Sequence, residues 1–348
     1  MPASPLAARS HARRRRTITA SAAIAAAVSA LLVLAGCASS APGDDGDGAL
    51  SDSTASAASG YPFEIDNCGT EVTFEHAPER VVTIKSSTLE LLLALGLEDR
   101  VVGAAFSDGP VPEEYADAAS GVDILSDKVP SQEATLAAEP DLVFAGWESN
   151  LTAEGAGDRA TLEQLGVHTY VAPAACQGEG YRPDPLTFDG VFDGFEEAGA
   201  IFGVEDAAAD LVAEQQAALD AIEPSDAGLT ALWYSSGDDQ PFVGAGTGAP
   251  QMIMDAAGLE NVVGDVQDSW TSLSWEAVVD ANPDVIVLVD AAWNTAESKI
   301  AKLEANAATA AMPAVQQGRY VIVDFPATEA GVRNVDAVAS IVEQLEDL

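Results

Sequence analysis

The chain has 348 residues, 56 Asp and Glu against 15 Lys and Arg, a formal charge of −41 and a hydrophobic fraction of 48%. A nucleic acid needs a basic surface to displace its counterions, and this composition cannot build one. The length suits two domains or lobes and the apolar fraction is ample for packed cores, which excludes a chain disordered throughout.

Residues 1–36 carry five of the basic residues, between Arg9 and Arg16, and no acid. After them come an Ala-rich apolar run at 20–34 and the sequence Leu34-Ala-Gly-Cys37. A positive cluster, an apolar stretch short for a membrane span and small residues before a Cys form, in that order, a bacterial lipoprotein signal. The competing reading is a chance apolar stretch before a structural Cys. With residues 1–36 removed as a signal peptide, Cys37 becomes the lipidated first residue, held at the outer face of the cytoplasmic membrane. Residues 37–60, rich in Ser, Gly, Ala and Asp, read as a flexible tether. The 312 residues that follow the signal keep all 56 acids and 10 bases, an acidity suited to solubility or tolerance of salt outside the cell. Cys68 and Cys176 are the remaining thiols. Outside the cytoplasm such a pair is more often a disulfide than a metal or catalytic site, the alternative being two separate buried thiols.

From Tyr61 the composition becomes globular. Residues 61–74 form two short alternating runs around Asn67-Cys-Gly69, a hairpin signature. Residues 80–84 read as a buried strand, 86–96 as a capped helix ending at a Gly, and 101–103 as the next strand. A strand at 141–144, a helix around 161–165 and a strand at 167–171 continue the alternation, which indicates a parallel sheet with covering helices. Residues 191–202 and 205–222 show helical apolar spacing without Pro. The second of these spans roughly 27 Å at about 1.5 Å per residue, enough for a stiff bridge.

The second half repeats the plan. Residues 242–264 parallel 81–103: strand, small-residue turn, helix, then Gly-Leu-Glu before Val-Val-Gly. Glu133 stands seven residues before Pro140-Asp141, and Glu276 seven before Pro283-Asp284. Each Pro-Asp opens an apolar strand, and these strands lead to Trp147 and Trp293 at nearly equivalent places. The organisation expected is an N-terminal α/β lobe at 61–203, a linker helix at 204–223 and a C-terminal α/β lobe at 224–348, with a cleft at the carboxyl ends of both sheets.

Pro78-Glu-Arg-Val-Val82, Thr88-Leu-Glu-Leu-Leu-Leu-Ala-Leu-Gly96, Arg100-Val-Val-Gly103, Pro140-Asp-Leu-Val143 and Pro283-Asp-Val-Ile286 resemble the substrate-binding lipoproteins of ABC importers for cobalamin, siderophores and related chelates, over nearly all of 61–348. The resemblance implies an α/β fold of two Rossmann-like lobes joined by a single long helix, of the class III periplasmic-binding-protein type. It implies a monomer that is not an enzyme, needs no cofactor or metal, and has an ABC permease and its ATPase as partners. Within the family, Lys85-Ser-Ser-Thr88, Gly146-Trp-Glu-Ser-Asn150, Trp233-Tyr-Ser-Ser236, Gly244-Ala-Gly-Thr-Gly-Ala-Pro250, Ser269-Trp-Thr-Ser-Leu-Ser274, Asp290-Ala-Ala-Trp-Asn294 and Ala327-Thr-Glu-Ala-Gly-Val-Arg333 are similar to an actinobacterial branch assigned to a precursor of the deazaflavin coenzyme F-420.

Such a ligand has a flat aromatic ring, a polyhydroxy chain and an anionic end. It calls for aromatic faces, hydroxyls and amides, and donors. Trp147, Trp233, Tyr234, Trp270 and Trp293 are the candidate faces, ordinary packing being the alternative for each, while Trp275 reads as core. Lys85, Ser86, Ser87 and Thr88 sit where a strand meets a helix N-terminus, and Thr247 occupies the equivalent turn of the second lobe; helix capping is the plain alternative. Arg333 is expected at the cleft, and Arg182 either there or paired with an acid. Phe106, Glu148 and Asn294 complete the candidate set. Glu133 and Glu276 take, by the resemblance, the role of acids that dock on permease arginines; the alternative is an acid complementing a helix dipole.

An enzyme is the contrasting class. Gly244-Ala-Gly-Thr-Gly248 has its third Gly one residue early for a dinucleotide turn, and Ser235, Ser236 and Asp238 lack a Gly-x-Ser-x-Gly elbow. His76 and His168 do not suffice for a three-His metal site. Another ligand of the same family, a ferric siderophore, haem or cobalamin, is the competing reading of the cleft.

Overall fold

The computed structural model describes residues 60–348; the signal peptide, Cys37 and the tether, Gly60 excepted, lie outside the described residues. Strands β1 (Phe63–Asn67) and β2 (Thr70–Phe74) form an antiparallel hairpin with Asn67 opposite Thr70. The two turn residues, Cys68 and Gly69, have φ of 52° and 80°. This double left-handed turn matches the twist of the strands it joins. The Cys68 sulfur is bonded to Cys176, with the Cα atoms 5.2 Å apart. Asn67 adds hydrogen bonds to both backbone groups of Val171, and Arg159 reaches from Asn67 to Thr169, so the hairpin is tied to the first lobe at one corner.

That lobe runs β3 (Val81–Ile84), α1 (Ser86–Ala94), β4 (Val101–Ala105), α2 (Ala116–Ala119), β5 (Ile124–Ser126), α3 (Gln132–Ala137), β6 (Leu142–Ala145), α4 (Arg159–Gln164) and β7 (His168–Val171). Its sheet is wholly parallel, in the order β5-β4-β3-β6-β7. Every residue of β3 and β6 is buried, Thr83 among otherwise apolar side chains, as a sheet covered on both faces requires.

Helix α5 (Phe188–Phe202) starts at the Thr187 cap and stops at Gly203, whose φ of 67° suits a residue without Cβ. Helix α6 (Glu205–Asp220) follows at once and packs against α5; its 16 residues extend about 24 Å. The second lobe comprises β8 (Leu229–Ser236), β9 (Phe242–Gly244), α7 (Ala249–Ala257), β10 (Leu259–Asn261), β11 (Trp270–Ser272), α8 (Trp275–Ala281), β12 (Val285–Asp290), α9 (Ala296–Ala305), α10 (Pro313–Gln316), β13 (Tyr320–Asp324) and α11 (Asn334–Glu346).

The second sheet is mixed. Its parallel part, β10-β8-β12-β13, repeats β4-β3-β6-β7 strand for strand. The counterpart of β3 is therefore β8, and the pairing of 242–264 with 81–103 is displaced by one strand. β9 is an inserted antiparallel partner of the outer half of β8, followed by β11, while β10 pairs in parallel with the inner half. Residues 262–264, expected as strand, form a turn beyond β10.

One apolar cluster continues through both lobes: Leu92, Phe144 and Tyr170 of the first, Phe195 and Phe202 of α5, and Met254, Val287 and Val338 of the second. Each such side chain contributes about 1.5–3 kcal/mol by leaving water. No helix among the described residues is long and apolar enough to cross a membrane.

Candidate functional site

In an open α/β sheet a crevice forms where the strand order reverses, beyond the carboxyl ends of the two strands at the switch. In the first lobe these are β3 and β6, which lead into Lys85 and into Gly146-Trp147. In the second they are β8 and β12, which lead into Ser235-Ser236 and into the turn 291–294, closed by an Ala291–Asn294 bridge with Trp293 at its tip. The two crevices share one cavity of about 600 Å³. Trp147, Phe242, Trp270, Trp293 and Phe325 supply its aromatic faces, and Ser87, Ser149, Ser235, Ser236, Thr247, Ser269 and Thr328 its hydroxyls. Glu148, Glu329 and Arg182 are its charged groups.

At one end Trp293 meets Phe325 edge to face, and the Trp147 indole donates to Glu329 Oε2 at 2.7 Å. Trp147 belongs to the first lobe and Glu329 to the second, so this bond spans the cleft. Behind the indole lies the Lys85 ammonium, 3.6 Å from the Trp147 ring centre, 4.6 Å from that of Phe106 and 5.0 Å from that of Phe325. It is fully buried and paired with Asp108. Lys85 has a φ of 90°, a conformation strained for any side chain but tolerated where surrounding contacts enforce it. Its N–H donates to Ala105 O at 3.0 Å, and a Cβ on Gly146 would stand 2.8 Å from Lys85 Cβ. Gly146 is thus the gap that admits the lysine stem. Burial raises the Asp108 carboxyl above its usual range although Lys85 pulls it down, and raises Glu329 against Lys85 and the indole N–H.

At the other end Trp270 stacks on Phe242, with planes 13° apart. Thr247, Gly248 and Ala249 line the cavity at the start of α7, whose amides and dipole favour negative charge. Arg182 stands at the same end, half-exposed, 3.8 Å from Asp268 and 3.4 Å from Gln177 Oε1. Glu148 accepts from the Gln177 N–H at 2.6 Å, which braces the 173–187 connection against the wall.

The structure brings together Ser87, Trp147, Glu148, Arg182, Thr247, Trp270 and Trp293 of the sequence candidates. Others it places elsewhere. Trp233 and Tyr234 are both fully buried within β8, one in each apolar cluster of the second lobe. They lie inside the strand rather than beyond its end, so neither reaches the cleft; the Tyr234 hydroxyl donates to Gly237 O at 2.7 Å. Arg333, expected at the cleft, grips Glu90 of α1 through Nε at 2.7 Å and Nη2, and also bonds Pro110 O. It is an inter-lobe tie outside the cavity. Lys85, Ser86 and Phe106 stand behind the wall: Ser86 Oγ accepts from the Asp108 N–H at 2.8 Å, and Phe106 packs edge-on against Trp147. The Thr88 hydroxyl turns back to carbonyls of its own helix start. Asn294 accepts from Ser298 and braces its turn without lining the cavity. Trp275 packs edge-on against Tyr234 and donates to Asp238 O.

Glu133 and Glu276 are exposed in the first turns of α3 and α8, each two residues after a serine cap, Ser131 and Ser274. The local geometry is the same in both lobes. His76 and His168 are bonded to Ala77 O and Glu163, away from the cavity serines. Among the described residues no group of three or more His, Cys, Asp or Glu is placed to hold a metal ion.

Sequence reasoning missed Phe325, Glu329, Asp108 and Lys299. The first two follow β13, at the carboxyl end of the sheet, and recognising 320–324 as a strand would have pointed to them. Lys299 of α9 is fully buried, and its ammonium donates to Val289 O at 2.6 Å and to Asn294 O, clamping both ends of the turn that carries Trp293. Burial lowers its pKa to about 8.

Two α/β lobes with facing switch points and a hydroxyl- and aromatic-lined cleft define a two-lobed binding protein. Residues 81–327 match the periplasmic binding protein family, and the chain belongs to it. It is 30% identical over 239 residues to a cobalamin-binding protein of Halobacterium salinarum, covering 64% of this chain and 57% of that protein's length. It is 26% identical over 325 residues to an uncharacterized ABC transporter substrate-binding lipoprotein of Bacillus subtilis, covering 91% of this chain and 94% of that one. Among solved structures, a periplasmic binding protein from Veillonella parvula superposes with a TM-score of 0.73 at 27% identity, covering 82% of this chain and 98% of the other. An ABC-type Fe3+-hydroxamate transport protein from Saccharomonospora viridis gives 0.69 at 26% identity, covering 82% and 99%.

Proposed function

We propose that the chain is the solute-binding lipoprotein of an ABC importer, anchored outside the cell membrane through Cys37, that captures a bulky organic cofactor or chelate and hands it to a permease. The cavity between two switch points carries the reading: it has stacking faces and hydroxyls, and no serine or cysteine in it is bonded to a base. The name of the Bacillus relative supports transport, and that of the Halobacterium relative the binding of an organic cofactor.

For the ligand, the deazaflavin coenzyme F-420 precursor fits the order of groups along the cleft. Trp147, Trp293 and Phe325 suit its ring, the serines and threonines its polyhydroxy chain, and Arg182 with the start of α7 its anionic end. A cobalamin is the second reading, favoured by the name of the halobacterial relative. Identifying the compound that co-purifies with the full-length protein, by absorbance, fluorescence and mass, separates the two. A fluorescent deazaflavin supports the first, a corrinoid the second, and turnover of an added nicotinamide or ester substrate would refute both. Glu133→Ala combined with Glu276→Ala is expected to abolish uptake with ligand affinity unchanged, since both acids stand outside the cavity on matching faces.

A further inference from the structure

We infer that Glu329 is the specificity-determining residue of the cleft, reading an N–H or O–H donor on the edge of the flat ring that lies against Trp147. The inference rests on the aromatic ligand class proposed above.

Glu329 Oε2 is taken by the Trp147 indole N–H at 2.7 Å, whereas Oε1 has no hydrogen-bond partner among the described residues, and Glu329 lines the cavity. An indole N–H lies in the plane of its ring, so Glu329 stands at the rim of the stacking face. The nearby cation does not meet the demand of Oε1, because Lys85 is buried behind the indole and paired with Asp108. Lys85 can balance only one of the two carboxyls, Asp108 and Glu329, and it is paired with Asp108. Of the other charged groups facing the cavity, Arg182 is turned to Asp268 and Glu148 to the Gln177 N–H, both beside the 173–187 connection. Burial already disfavours the charged form of Glu329, so a ligand donor at Oε1 supplies what the wall withholds. The same carboxyl opposes ligands that present an oxyanion there, such as haem propionates or catecholate oxygens. A buried acceptor left without its donor discriminates strongly, and a hydrogen bond to a charged group corresponds to a tenfold to hundredfold difference in affinity.

The test titrates the purified full-length protein with 8-hydroxy-5-deazariboflavin and with its N3-methyl and 8-methoxy derivatives, following tryptophan fluorescence. Each derivative blocks one ring-edge donor. Wild type is expected to bind one blocked derivative at least tenfold more weakly than the parent. In Glu329→Ala that difference falls to threefold or less, even though the parent itself binds less well once Trp147 has lost its partner. Comparing two ligands on one variant cancels any general loosening of the site. Glu329→Gln, which keeps an oxygen for the indole, is made alongside to confirm the folded state by its melting curve. Equal binding of all three compounds by wild type, or undiminished discrimination in Glu329→Ala, overturns the inference alone. Failure of wild type to bind either the parent or its derivative carrying the anionic phosphodiester end overturns the proposed deazaflavin ligand and this inference with it.

Discussion

Replacing Arg333 by Met removes a cation and three hydrogen bonds while keeping an apolar stem of similar reach. Glu90 is then left in an interior where its side chain is 1% exposed, against 15% for Arg333. Breaking a buried pair from one side costs about 3–5 kcal/mol at neutral pH, or a fall in Tm of about 6–10 °C at about 2 °C per kcal/mol for a chain of this size. The pH dependence carries the sharper signature. Burial raises the Glu90 pKa, and Arg333 opposes that through its hydrogen bonds and its charge. Without the guanidinium the folded-state pKa rises further above the unfolded one. A raised carboxyl contributes stability that is fully present below the unfolded pKa, near about 4.3, and lost as pH rises through the folded value. The deficit of the variant is therefore small at pH about 4.5, near the unfolded pKa, and larger at pH 7. Urea melts of wild type, Arg333→Met, Glu90→Gln and the double variant at both pH values measure it, the double recovering much of the loss because no unpaired charge remains. A deficit below about 1 kcal/mol at pH 7, or one equal at both pH values, would refute the buried-pair argument. A tenfold loss of ligand affinity with stability unchanged would return Arg333 to the cleft.

The Cys68–Cys176 bond closes a segment of 108 residues, and reductant or a double Cys→Ser change is expected to lower stability by about 4–5 kcal/mol on chain-entropy grounds, read by urea melts with and without dithiothreitol. Trp233→Phe is expected to cost about 1–3 kcal/mol, the cavity left by the smaller ring alone, because the Trp233 indole N–H has no partner to lose; a melt showing a loss well above about 3 kcal/mol contradicts this. Trp293, 62% exposed at the cleft, behaves oppositely: Trp293→Ala is expected to leave the melting curve in place and to weaken ligand binding about tenfold by titration.

Strand periodicity and helix caps made the first lobe legible, because consecutive β-α units leave the same pattern whether or not distant contacts are known. The Glu133 and Glu276 spacing likewise pointed to equivalent places. The second lobe misled because β9 is a hairpin insertion: its short apolar run before a small-residue turn imitates β3, whereas the true counterpart β8 lies earlier. Trp233 and Tyr234 failed for a related reason. A sequence shows that an aromatic is near a strand end, but whether it is the last residue inside the sheet or the first beyond it depends on register, which β12 fixes by pairing with 231–234. Arg333 was misplaced because its partner Glu90 is 243 residues away, and no local pattern announces such a pair. Lys85 read as a ligand contact for want of any sign that Asp108 and three aromatic rings enclose it.

The ties between the lobes bear on how a ligand enters. Opening the lobes widely would break Arg333–Glu90, Trp147–Glu329 and the Leu186 N–H to Thr247 O bond. It would also disturb the apolar cluster that runs through both lobes. These ties oppose wide separation of the lobes, and a ligand is expected to enter a largely preformed cleft.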